Sequence, residues 1–372
     1  MIEHGGTRIS TAVMTHPKRL EHARALRDSH PELGLRVVVD PDPEGPPSSV
    51  RSARLVWEAA GADATHHLVL EDDVALCADF RDQVLAAVRA RPDAVVSLHA
   101  AATSRTGFAG RLALLRGSPW TVPVGPYVPT VGVVLPVRAA RAFAAYIADR
   151  AVLADHHDEL LKRFLDGTRL PALVTVPNLV DHRPLPTLEG NVLADGRPSF
   201  CFPGDGGPVD WTAEPTRPSI VPYLMYPPHR HAVGLLPTVA RNGEPPSRAA
   251  VELLQESGVP LPALMAEFVD ALDGLGAAAG PVEDIVFPLW CTAALLGTVH
   301  RVETGTEGDA ADAARRPLVE RSLHAWAAAV LDKRAGADRA AATARLAAFL
   351  SCGLTAGLAP SRGERRYSTA AS

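Results

Sequence analysis

Through the first half of the chain, short apolar blocks alternate with longer stretches of helical periodicity. Ile9 to Thr15 reads as a strand, with Ile9, Ala12 and Val13 apolar. Pro17 then opens a helix through Leu26, because its missing N–H costs nothing in a first turn. Leu35 to Val39 is a second strand that ends at Asp40, residues 41–49 form a Pro/Gly/Ser loop, and 49–60 read as a helix. Leu68-Val69-Leu70 is a third strand, 80–90 a helix and 94–99 a fourth strand. This β-α-β-α-β-α-β order predicts an α/β, Rossmann-like fold: a mostly parallel sheet with helices on both faces.

From Ala100 the pattern loosens, and residues 107–129 read as a long irregular stretch carrying Trp120 and Tyr127. Thr130 to Val137 is strand-like, 139–150 helical, Asp155 opens a helix through Leu165, and Leu173 to Val176 is a short strand. Residues 183–247 hold thirteen of the chain's 33 prolines, too long for an ordinary connection. A linker or an irregular wrap is expected over 191–247, with Tyr223, Tyr226 and His229 available to pack it down. Beyond it, Leu261, Leu264, Phe268, Leu272 and Leu275 recur at helical spacing, and further stripes run through Leu289-Trp290, Leu323-Trp326 and 341–350. A C-terminal all-α bundle over 248–360 is the simplest account, its Trp and Phe residues serving as core. A disordered polar tail is expected at 361–372.

Composition narrows the function classes. At 372 residues the chain has room for two domains, and 47% hydrophobic with 21% charged residues is a globular balance. The net charge of -5 argues against a nucleic-acid binder. Cys77, Cys201, Cys291 and Cys352 are far apart, which fits reduced thiols in a cytoplasmic protein better than a disulfide or zinc framework. The N-terminus lacks the basic and apolar regions of a signal peptide. The longest apolar stretch, from Ile285 to Val299, is interrupted by Pro288, so no transmembrane segment is expected. Abundant Ala, Arg and Pro with little Lys has the look of a GC-rich bacterial genome.

The candidate chemistry lies in Glu71-Asp72-Asp73, directly behind the third strand. Open α/β sheets bind ligands at the carboxyl ends of strands. Adjacent carboxylates repel, and a hard divalent cation relieves the repulsion while keeping positions for phosphate oxygens. Alternation along extended backbone puts Glu71 and Asp73 on one side and Asp72 on the other. The competing account is an acid-rich turn leading into a helix start.

With Thr11-Ala12-Val13-Met14-Thr15-His16-Pro17-Lys18-Arg19, Val37-Val38-Val39-Asp40, Leu68 to Val74, Asp155 to Leu161 and Pro177-Asn178-Leu179-Val180-Asp181-His182 in this order, residues 1–190 resemble GT-A glycosyltransferases. The likeness is to the lipopolysaccharide and N-acetylglucosaminyl types, which use nucleotide-diphosphate sugars. It implies a donor-binding domain over 1–190 and Mn²⁺ or Mg²⁺ held by Glu71, Asp73 and His182. It implies nucleotide contacts from Thr15 and Asp40, with Asp72 facing the sugar hydroxyls or its own loop, while Lys18, Arg19 and Arg51 are candidates for diphosphate or base contacts because a guanidinium grips phosphate oxygens bidentately. Asp158 is the implied general base and Asp155 its rival, although both also suit a helix start. The pattern departs from the family's usual D-x-D by reading Glu71-Asp72-Asp73. Glycan, natural product and protein are all open as acceptors. A nucleotidyltransferase is the alternative enzyme, but its Gly-rich loop is missing from the segment after the first strand. A non-catalytic GT-A-like binding module is the alternative outside enzymes.

Overall fold

The protein, seen in a computed structural model, is described over residues 1–46, 48–183, 185, 197–225, 230–237, 244–305, 315–331 and 338–359. The tail at 361–372, Tyr226 and His229 lie outside these residues. The chain forms two compact units: Met1–Ala100 with Pro126–Glu214, and Ala101–Gly125 with Pro215–Ser372. This division departs from the expected boundary near residue 190, because a segment after the fourth predicted strand joins the second unit.

In the first unit the elements, in chain order, are β1 (Ile2–His4), β2 (Thr7–Thr15), α1 (Leu20–Ser29), β3 (Arg36–Val39), α2 (Val50–Glu58), β4 (His66–Glu71), β5 (Val74–Leu76), α3 (Phe80–Ala90) and β6 (Val95–Ser97). The second unit then takes α4 (Arg105–Arg116) and β7 (Trp120–Thr121). The first resumes with β8 (Gly132–Pro136), α5 (Val137–Arg150), α6 (His157–Asp166), β9 (Ala172–Thr175) and β10 (Val180–His182). Its main sheet runs β1-β2-β4-β8-β6-β9, with β3 beside the far end of β2. β2 pairs in parallel with β3 and β4, and β6 with β9, while β8 runs antiparallel to both its neighbours. The sheet is therefore mixed around a parallel core. Direction depends on how a strand is connected, and the chain between β6 and β8 passes through the second unit instead of making a crossover helix. Val69 of β4 joins the core formed with α2, α5 and α6, so successive residues of β4 face alternately toward and away from those helices.

The second unit continues with β11 (Val221–Leu224), β12 (Ala232–Leu235), β13 (Ser247–Ala249), α7 (Ala250–Glu256), α8 (Leu261–Leu275), α9 (Val286–Thr304), α10 (Arg316–Leu331) and α11 (Arg339–Leu358). The linker expectation over 191–247 is corrected: a three-stranded antiparallel sheet, β11-β12-β13, falls there and ends at Ala249, whereas the described elements from Ala250 on are all helical. Pro222 is accommodated because β11 is an edge strand. Phe268, Trp290 and Phe349 meet in the core, with ring centroids 5.2 to 6.2 Å apart, as the helical spacing predicted. α9 and α11 approach through glycine: a Cβ on Gly357 would lie 1.9 Å from the Ala294 carbonyl oxygen. Among the described residues α11 alone has the length and apolarity of a membrane-crossing helix, a composition that core helices share.

The stretch expected to be irregular contains α4. Ser104 caps it by accepting from the Gly107 N–H at 2.9 Å, and Gly117 ends it in the left-handed region at φ 68°. Nearly every α4 side chain is buried, so no polar face marks its period.

Candidate metal centre

β2 lies between β3 and β4, and the connections from β2 to β3 and from β3 to β4 run in opposite senses across it. Such a reversal opens a crevice at the carboxyl ends of the strands. Thr15 ends β2, Glu71 ends β4, and Met14 is paired with Glu71 across the two strands. Asp40 follows β3 and donates its N–H to the Thr15 carbonyl at 2.9 Å. Thr15, Asp40 and Glu71 thus come to one end of the sheet because each lies at the end of a strand.

The acids are held apart by separate partners. Asp72 is buried, accepts the Thr15 hydroxyl on Oδ2 at 2.5 Å and receives Arg19 on Oδ1 at 3.2 Å. Burial pushes its carboxyl above the usual carboxylate range, against the pull of Thr15 and Arg19. The same Arg19 nitrogen donates to Asp73 Oδ2 at 2.6 Å. Asp73 Oδ1 is buried with no hydrogen-bond partner and lies 3.5 Å from His182 Nε2.

His182 reaches the acids through a small ribbon. β5 and β10 pair antiparallel, placing His182 opposite Val74. The Arg183 N–H donates to the Asp73 carbonyl at 2.7 Å, which closes the ribbon. His182 Nδ1 lies 3.2 Å from the Arg183 carbonyl oxygen, an acceptor for Nδ1–H that leaves Nε2 turned toward the acids. Nε2 lies 3.5 Å from Asp73 Oδ1 and 3.9 Å from Glu71 Oε2. One donor atom from each of Glu71, Asp73 and His182 lies within 4.8 Å of the others.

Groups so placed are reconciled by positive charge between them, supplied by a proton on His182 Nε2 or by a bound cation. Two carboxylates and an imidazole are a donor set for a divalent transition ion, with Mn²⁺ better suited than Mg²⁺. Ligands bound at about 2.1 Å lie about 3 to 4 Å from one another across a coordination shell. The observed 3.5 and 3.9 Å separations match that spacing. The Arg183 carbonyl orients the His182 ring, as outer partners of metal-binding imidazoles do.

Other predicted residues are tied up differently. Asp40 binds Arg51 through both oxygens, Oδ1 to Nε and Oδ2 to NH2, each at 2.9 Å. Arg51 holds the Asp40 carboxyl below its ordinary range. Arg51 also donates to the Pro46 and Asp42 carbonyls, pinning the loop after β3 onto α2. Asp155 accepts the Val152 N–H at 2.8 Å and Arg163 at 2.6 Å, and these bonds depress its carboxyl in that order. It is a structural brace ahead of α6. Asp158 stands in the first turn of α6 and accepts the Glu159 N–H at 2.8 Å. Neither acid bonds to Glu71, Asp73 or His182. Trp120, in the stretch expected to be irregular, is fully buried.

Two histidines join the site that sequence reasoning passed over. His157 is buried, with Nε2 3.9 Å from Glu71 Oε1. It shares the buried stripe of α6 with Leu160, Leu161 and Leu165, and that spacing was the available signal. Glu71 follows Val69 by two residues and so faces α6. His99 is buried after β6, with its ring centroid 6.3 Å from that of His182. Burial lowers its pKa to about 3, so the ring is neutral. No known protein-family model matches the chain, and no curated protein matches it at a significant level.

Proposed function

We propose that this chain is a metal-dependent glycosyltransferase that takes a sugar from a nucleotide-diphosphate donor. The observation that carries the reading is the convergence of Glu71, Asp73 and His182 at the end of β4, where a buried oxygen of Asp73 has no hydrogen-bond partner. Leaving such a group unpaired costs on the order of 1–3 kcal/mol, and more for a charge, so a ligand is expected there. The resemblance of residues 1–190 to nucleotide-sugar enzymes points the same way.

Glu71, Asp73 and His182 would hold the ion, which when bound supplies positive charge to the diphosphate as it departs. The chain's own groups do the positioning. The Arg183 carbonyl keeps His182 Nε2 toward the acids. Thr15 holds Asp72 at the mouth of β2, where its other oxygen faces Arg19. Arg19 brings a guanidinium to the crevice, the group best shaped to grip phosphate oxygens. The Asp40–Arg51 pair makes the loop after β3 a firm wall for the nucleoside. With Asp155 engaged by Arg163, Asp158 is the carboxylate of the α6 start that would accept the acceptor's proton.

The test is thermal shift with a panel of UDP- and GDP-sugars, with and without Mn²⁺. At least one donor should raise the melting temperature only when Mn²⁺ is present, and Asp73→Asn should abolish that rise. A flat response across the panel would contradict the reading.

A further inference from the structure

We infer that Arg19 is a resident counter-ion of the metal centre, displaced from Asp73 by the cation and handed to the diphosphate. The inference rests on the metal–diphosphate reading above. Arg19 NH1 spans Asp73 Oδ2 at 2.6 Å and Asp72 Oδ1 at 3.2 Å, so a single nitrogen serves both acids. The side chains are 15%, 5% and 7% exposed for Arg19, Asp73 and Asp72, so water screens these charges weakly. Asp73 therefore has one oxygen on the guanidinium and the other toward His182.

A divalent ion at Asp73 Oδ1 would bring two positive charges beside a third on the same carboxylate. Repulsion between the ion and the guanidinium weakens the Arg19–Asp73 bond. Arg19 directly precedes α1, on the short turn Pro17–Arg19, and reaches the acids by its long side chain. A change of side-chain rotamers releases it without moving a strand. The ligand that gains from that release must be a polyanion offering paired oxygens, which a diphosphate does and a neutral sugar does not. The cation and the nucleoside diphosphate should thus favour each other's binding, and the coupling must be reciprocal.

The Mn²⁺ dissociation constant is measured by electron paramagnetic resonance of free Mn²⁺, with and without saturating UDP, and with GDP in parallel. The proteins are the full chain, Arg19→Gln and Arg19→Lys. The full chain should bind Mn²⁺ at least about fivefold more tightly with the nucleotide. Arg19→Gln should bind Mn²⁺ alone more tightly than the full chain, having lost the competitor, and its nucleotide enhancement should fall by about threefold or more. Arg19→Lys keeps a charge but serves two acids poorly, and should fall between; it carries the test if the Gln variant does not fold. Variants that bind Mn²⁺ alone no more tightly than the full chain would overturn the inference, leaving Arg19 a prop for the acids and the metal reading intact. A full chain that binds no Mn²⁺ would overturn both.

Discussion

Thr15 shows how one hydroxyl sets the chemistry of the acids beside it. It donates to a carboxylate that is buried and raised in pKa, so its loss leaves a buried oxygen of Asp72 without that bond. Thr15→Val should cost about 1–3 kcal/mol of stability, read from the urea midpoint of unfolding, with unchanged secondary structure. A midpoint equal to that of the parent chain would contradict the assigned bond. At this scale the sequence was legible where a residue ends a strand. Glu71 could be named because an apolar run stops at it, whereas Thr15, Asp40 and His182 were named through the resemblance. Partner choice was not legible. Nothing local says that Arg51 binds Asp40 through both oxygens, or that Asp155 belongs to Arg163, because those pairs form only when helix and loop meet.

At the level of elements, the ribbon of β5 and β10 delivers the imidazole, and its fit depends on a glycine in β8. A Cβ on Gly132 would lie 3.0 Å from Val180 Cγ2 and 3.2 Å from Leu70 Cδ2, which is tight against the strand that carries His182. Gly132→Ala should therefore push β10 outward, destabilise the fold by about 1–3 kcal/mol and weaken Mn²⁺ binding. Calorimetry and a Mn²⁺ titration check both effects, and an unchanged affinity would separate Gly132 from the site. The longer strands and the helices of the first unit were legible from period and punctuation, but the three-residue strands β1, β5 and β10 were too short to show a period. α4 was not legible either, because it is buried all round and its signals reduce to Ser104 and Gly117 at its ends. The reversed direction of β8 was equally hidden, because strand polarity follows from chain path and not from composition.

On the scale of the whole molecule, stability should depend on acid through buried imidazoles. His300 in α9 is buried, and desolvation, followed by the charges of Arg116 and Arg315, lowers its pKa from 6.5 to about 4. The folded state keeps this ring neutral while the unfolded chain protonates it, so the unfolded state binds more protons between those values. Its contribution is complete above pH 6.5 and is lost as the pH falls toward about 4, a loss of about 3 kcal/mol at the lower end. His66, His67 and His99 are shifted in the same direction. Urea unfolding at a series of pH values should therefore show falling stability from pH 6.5 downward, and His300→Gln should flatten part of that slope. A stability independent of pH over this window would contradict the neutral, buried state of these rings. The division into two units also belongs to this scale. It was only half legible, because residues 101–125 join the second unit by packing that no local pattern announces.

The most direct measurement is electron–nuclear double resonance on Mn²⁺ bound to the protein together with UDP or GDP. If the centre is what the side chains imply, one ion will show coupling to a nitrogen that disappears in His182→Gln and coupling to phosphorus from the nucleotide, while Asp73→Asn will lose the bound ion. An ion that couples to neither nitrogen nor phosphorus, or that binds equally well to Asp73→Asn, would contradict the account.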